Sequence, residues 1–171
     1  MNRYLATGAI AALALAAAAF GQPAPMGHRI MPQQKWGMPG PWVMANLARH
    51  QQAIMQGIPR PYDTARDSTP DTAEKLSRGA AVFVQHCQSC HGSTGVGNGQ
   101  AGEELSPAPA NLAWLARMPM SRSDPYMAWT VAEGGAAFES EMPAFKDTLS
   151  ESDRWAVIAY IRNGLSAEPP G

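Results

Sequence analysis

Cysteine is scarce in this chain: 171 residues hold only Cys87 and Cys90, too few for a disulfide-stapled miniprotein. An excess of charge of one sign is also missing. Thirteen basic side chains against fourteen acidic ones leave a formal net charge of -1, which offers no global basic field for a dedicated nucleic-acid binder. Only one apolar run comes near the roughly 18 residues that cross a bilayer, and it sits at the N-terminus over Leu5–Phe20, which excludes a multi-span membrane protein. No segment of residues 63–171 alternates apolar and polar side chains at period two, and no internal repeat is present. The reading is therefore one compact, all-α domain with extensions.

The N-terminal apolar run is preceded by the single cation Arg3 and followed by Gly21-Gln22-Pro23, the three-part pattern of a secretory signal over residues 1–21, cut after Gly21 or after Ala19. An uncleaved inner-membrane anchor is the alternative. Either way the remainder is expected outside the cytoplasm, in the periplasm. Residues 22–62 contain Arg29, Lys35, Arg49 and Arg60 and no acid, a charge of +4, whereas residues 63–171 hold all 14 acids against 8 bases, a charge of -6. The stretch 22–66 is rich in Pro, Gly, Gln and Met, so regular structure is not expected before Pro41. A short helix is expected near 42–56, where Val43, Leu47, Ile54 and Met55 share a face and Gly57 and Pro59 supply a stop. Its apolar stripe needs a cover, either this chain's own acidic surface or a partner. Pro59 and Pro61 beside Gly57 form a stiffened spacer, which favours a partner docked on residues 22–62. Cu(I) held by the methionines of this stretch is a weaker reading, because their spacing is irregular.

Residues 67–166 carry the clearer helical signals, with a short tail at 167–171. Thr69 and Pro70 mark the start of a helix to about residue 86, with Leu76, Ala80, Phe83, Val84 and Cys87 at helical spacing. The Gly-rich segment 92–102 and the Pro-containing segment 106–110 read as loops. Ser123-Asp124-Pro125 begins a second helix that Gly134-Gly135 stops, and Ser150-Glu151-Ser152-Asp153 is a capping-box variant before a last helix to Arg162.

The pentapeptide Cys87-Gln88-Ser89-Cys90-His91 has the C-x-x-C-H spacing of c-type haem attachment. Two thiols three residues apart on one helical turn reach the two vinyl groups of a single haem, and the adjacent imidazole ligates the iron. A thioredoxin-like dithiol would need a βαβ setting, and a structural zinc site would need four ligands where only three cluster. The glycines of 92–102 lack the Lys-Ser/Thr of a phosphate loop, so they are read as letting backbone pass close to the haem edge. Trp114, Trp129 and Phe138 are candidate pocket walls. The remaining iron position has rivals in His28, His50, His86, Met118, Met120, Met127 and Met142, with His86 too near Cys87 to reach the opposite face.

With these residues in place, the stretch from about 70 to 165 resembles the monohaem class I cytochrome c family. Gly79, Phe83 and Cys87 match the family's first helix, where a glycine and an aromatic residue let the last helix, here Val157–Ile161, cross closely. The resemblance implies a helical domain wrapped around one covalently bound haem c. Glu141-Met142-Pro143-Ala144-Phe145 looks like the family's distal-methionine loop, which makes Met142 the expected second axial ligand beside His91. The family's proline carbonyl, which accepts the other N–H of the proximal histidine, is matched by Pro109, although Ala110 intervenes before Asn111-Leu112.

The function expected is electron transfer through that haem between periplasmic or membrane redox partners, with no substrate turned over by the chain itself. A haem subunit permanently bound to a larger dehydrogenase or oxidase is the alternative, for which the extension at 22–62 is the discriminating feature. An enzyme or gas sensor with an open iron position is a third reading and requires that Met142 not bind.

Overall fold

The computed structural model describes residues 41–166, with side chains from residue 48 onward. The expected signal segment 1–21, the start of the extension, including His28, and the tail 167–171 lie outside the described residues. The described residues form six α-helices in the order α1 (Pro41–Gln56), α2 (Ala73–His86), α3 (Gln88–His91), α4 (Leu112–Leu115), α5 (Asp124–Glu133) and α6 (Glu151–Arg162), with 3₁₀ turns at Tyr62–Thr64, Gln100–Gly102 and Ala136–Phe138. Among the described residues there is no strand, and no helix is long and apolar enough to cross a membrane.

The centre of the fold is the crossing of α2 on α6. Leu76 and Phe83 on α2 and Val157 and Ile158 on α6 are fully buried, each contributing about 1.5–3 kcal/mol relative to an exposed side chain. Gly79 lets the two helices meet: a Cβ there would lie 2.7 Å from the carbonyl carbon of Ala156 and 2.8 Å from Cβ of Tyr160. One turn later Phe83 packs on Tyr160 with ring centroids 5.6 Å apart. The expected aromatic contact and the expected close approach are therefore both present.

Helix α2 begins three residues later than expected. Thr69 is engaged elsewhere, its N–H and hydroxyl both donating to Asp67 Oδ1 at 3.1 and 2.8 Å, so Thr72 becomes the cap and accepts from the Lys75 N–H at 3.3 Å. The cap of α6 is as expected, with Ser150 Oγ accepting from the Asp153 N–H at 3.1 Å. Gly134 ends α5 with φ of +64°. Arg162 at the end of α6 pairs with Asp124 at the start of α5 at 2.6 Å, tying the two helices together near the core.

Helix α1 occupies the expected 42–56 region, but the described part of its apolar stripe is left uncovered. Ile54 and Met55 are 66% and 80% exposed, and the side chains of Val43 and Leu47 lie outside the described residues. The helix instead docks on its own domain through polar side chains. His50 is 2.9 Å from the Tyr126 hydroxyl and 3.2 Å from Ser121 Oγ, and Arg49 is buried over the rings of Trp129 and Phe138. Its Arg49–His50 side therefore packs on this chain's own domain, one of the two covers expected for the helix. The physical reason is that α5, the residues just before it and the turn after it offer a carbonyl, a phenol, a serine hydroxyl and two aromatic faces, partners that an apolar stripe does not reveal.

Candidate functional site

Helix α2 stops at Cys87, whose φ of -120° and ψ of -35° break the helix. The next turn, α3, then presents Cys90 and His91 on the wall of a cavity that Cys87 also lines. Neither cysteine is in a disulfide. Burial, reinforced by the neighbouring Cys90, pushes the Cys87 thiol up to about 12, the opposite direction from the activated thiolate of a redox dithiol. No group of three or more His, Cys, Asp or Glu side chains among the described residues is arranged to hold a metal ion.

His91 is oriented by the backbone. Its Nδ1 lies 2.9 Å from the carbonyl oxygen of Ala110, and only a protonated Nδ1 can donate there, which leaves the lone pair on Nε2. Burial lowers the pKa of the imidazole, and the bond to Ala110 partly opposes that effect, so the ring is held in the neutral form that ligates metals. This corrects the expectation for Pro109. Pro109 lines the same cavity, but its carbonyl faces Gly97, where a Cβ would come within 2.5 Å of it, so the acceptor is one residue further on.

The glycine loop packs against α3. Gly97 N–H donates to the His91 carbonyl at 2.8 Å and Gly99 N–H to the Cys90 carbonyl at 3.0 Å. A Cβ on Gly99 would sit 2.6 Å from the backbone of Ser89 and Cys90. The loop folds back on α3 and clamps the Cys-Cys-His segment from outside. A further element, α4, was not foreseen in the loop after Pro109; Asn111 caps it by accepting from the Trp114 N–H at 2.8 Å, and the Asn-x-x-Trp spacing was the available signal.

The rest of the wall is mostly apolar, with Leu105, Leu115, Met127, Val131 and Phe145 among its side chains. Met142 is on this wall too, half-buried against the core. Its backbone is pinned to the end of α5, with its carbonyl accepting from the Gly135 N–H at 2.8 Å; a Cβ on Gly134 would meet that carbonyl and Pro143 at 2.5 Å. Of the rivals for the second iron position, His86 and Met127 also line the cavity, whereas Met118, Met120 and His50 do not. Phe138 lines it, but Trp114 and Trp129 do not. Trp114 is exposed, and Trp129 is buried against Arg49, Tyr126 and Phe138. The cavity also carries a cation that the sequence reading left in the extension. Arg49 lines it from α1, and burial lowers the guanidinium's pKa, partly offset by Tyr126 and Glu133.

An apolar cavity with two unpaired thiols and a backbone-oriented neutral imidazole on its wall is the donor set of a covalently bound haem. Residues 74–161 match the family model for cytochrome c oxidase, cbb3-type, subunit III. The chain belongs to this family of c-type cytochromes. No solved structure matches it. As a cytochrome c domain it carries covalently bound c-type haem and works by haem-based electron transfer. Helix α1, with Arg49, lies outside the matched residues.

Proposed function

We propose that this protein is an exported electron carrier with a single haem c, attached through Cys87 and Cys90, with His91 and Met142 as the axial ligands. When bound, the haem supplies the one-electron chemistry, and the chain turns over no substrate. The observation that carries the reading is the bond from His91 Nδ1–H to the Ala110 carbonyl beside the two cavity-lining thiols. That bond holds the ring and raises the basicity of Nε2. Met142 is the preferred sulfur because the loop bearing it is anchored to α5 at Gly134 and Gly135, whereas Met127 is packed in the core on α5 itself. Thioether ligation favours the reduced iron relative to a second histidine, and the apolar wall does so further by excluding water. Residues 1–21 supply export in this reading.

The test is ligation. Met142→Ala is expected to keep the haem covalently attached, open the iron to added carbon monoxide or imidazole, and remove the sulfur-to-iron absorption band of the oxidised protein. Met127→Leu is expected to do none of these. Exchange of the two results would assign the iron to Met127.

The subunit III family description favours a second reading, in which the haem domain is a fixed subunit of a terminal oxidase rather than a diffusing carrier. Mild-detergent purification from the source membrane separates the two: co-migration with oxidase activity supports the subunit, and recovery of the chain alone in the soluble fraction supports the carrier.

A further inference from the structure

Among the described residues, the buried guanidinium of Arg49 pairs with no carboxylate. The residue is 6% exposed. Its guanidinium carbon lies 4.4 Å from the Phe138 ring centroid and 4.7 Å from that of Trp129. Nη2 donates to the carbonyl of Gly134, and Nη1 is buried with no hydrogen-bond partner. The carboxylate whose charge acts on it, Glu133, is committed elsewhere: its Oε1 accepts from the Tyr62 hydroxyl at 2.6 Å and its Oε2 from Lys146 at 2.9 Å. Arg162, the other arginine on the cavity wall, already has its carboxylate in Asp124 at 2.6 Å.

Removing an unpaired charge from water is strongly unfavourable even after relaxation. Two aromatic faces and one carbonyl return part of that. What is missing is a carboxylate at Nη1, and Arg49 lines the same cavity as Cys87 and His91. A haem c brings two propionate carboxylates into that cavity.

Resting on the assignment of the haem to this cavity, we propose that Arg49 is the counter-ion of a haem propionate, delivered by a helix that precedes the family-matched segment. Helix α1 is then part of the haem pocket of this chain. The aromatic slot of Trp129 and Phe138 holds the guanidinium plane, the Gly134 carbonyl fixes one nitrogen, and the other is left to donate to the propionate. A cation held there favours Fe(II) over Fe(III) by offsetting the propionate's negative charge.

The experiment uses the full-length holoprotein. Arg49→Gln is expected to retain a covalent haem band after denaturation and to shift the midpoint potential downward, and Arg49→Lys to recover part of the shift. Phe138→Leu loosens the same slot while keeping the cation and is expected to shift the potential less than Arg49→Gln. In the reduced parent protein labelled with ¹⁵N-arginine, the Arg49 side-chain protons are expected to exchange slowly and to show nuclear Overhauser contacts to a propionate methylene. That measurement decides the matter if Arg49→Gln fails to fold. Equal shifts in Arg49→Gln and Phe138→Leu, an unchanged potential in Arg49→Gln, or absence of the propionate contacts in the parent would overturn the proposal. Failure of the haem assignment is seen separately, as absence of covalent haem in the parent.

Discussion

Residues 74–161 and residues 48–73 are attached to one body by different physics. Within the family-matched segment the dominant contact is the apolar crossing of α2 on α6, where Phe83, Leu76, Val157 and Ile158 are out of water and Gly79 sets the approach. Before it, almost every fastening is polar. Arg49 enters an aromatic slot, His50 joins Ser121 and Tyr126, Tyr62 donates to Glu133, and the Asp67 N–H donates to Asp124 Oδ2 at 2.9 Å. The apolar residues Ile54 and Met55 remain exposed. The difference teaches that hydrophobic periodicity locates the helices of a core but does not say how an added segment is held.

The largest effect tests the matched segment alone. The double substitution Cys87→Ala with Cys90→Ala should abolish covalent haem, read as loss of the haem-stained band after denaturation, with α1 intact. A retained band would remove the attachment motif from the argument.

Deleting residues 22–62 while keeping residues 1–21 should not be silent. It strips Arg49 from the buried faces of Trp129 and Phe138 and frees Glu133 from Tyr62, contacts of about 0.5–2 kcal/mol each. A lower melting temperature and an altered visible spectrum are expected. An unchanged truncated domain would mean that α1 is an independent arm, and the two regions would then be less coupled than their contacts indicate.

Gly79→Ala sets two effects against each other. Alanine is favoured over glycine inside a helix by about 1 kcal/mol, but the new methyl would press on the Ala156 backbone. Overpacking of this kind costs about 1–3 kcal/mol, and backbone cannot swing aside as a side chain can. Net destabilisation in chemical denaturation is expected, and a stabilised variant would show that α2 and α6 have room to separate.

His50→Ala probes the polar attachment by removing both links from α1 to Ser121 and Tyr126. Leaving those buried partners unmet costs about 1–3 kcal/mol. Tyr126 stays protonated throughout the accessible pH range, because burial raises its pKa to about 12 despite the opposing charge of Arg49. The loss of stability should therefore vary little with pH above neutrality, as denaturation at pH 7 and pH 9 would show.

The smallest effect is the acid limb at Asp67. Burial raises its pKa, but bonds from Lys75 at 2.6 Å and from Thr69 outweigh burial and hold the carboxyl below its usual value. A depressed folded-state pKa means a stabilising contribution that is complete above the unfolded value of about 3.9 and is lost as pH falls through the folded one. The stability gap between the parent and Asp67→Asn should be constant above pH ~5 and close as the pH drops below ~4. A gap that persists into acid would show that the pair does not depend on the ionised carboxylate.

Legibility divides along the same line as the contacts. The Cys87-x-x-Cys90-His91 spacing, the Gly79–Phe83 step, the Ser150 cap and the Gly134 stop are short-range signals, each a matter of a few neighbouring residues, and the sequence by itself determined them together with the helical class. The start of α2 was misplaced because Thr69 had a closer partner in Asp67, a competition that capping preference alone does not rank. The acceptor for His91 was displaced from Pro109 to Ala110 because carbonyl direction depends on how loop 92–102 packs against the following segment. Arg49 read as one of four bases in a basic stretch; folding alone brings it to its acceptor Gly134, 85 residues away in the chain, and onto the cavity wall. Nothing in a local window distinguishes a guanidinium destined for solvent from one destined for an aromatic slot, since the slot is assembled from α5 and the turn at Ala136–Phe138 after the chain has folded.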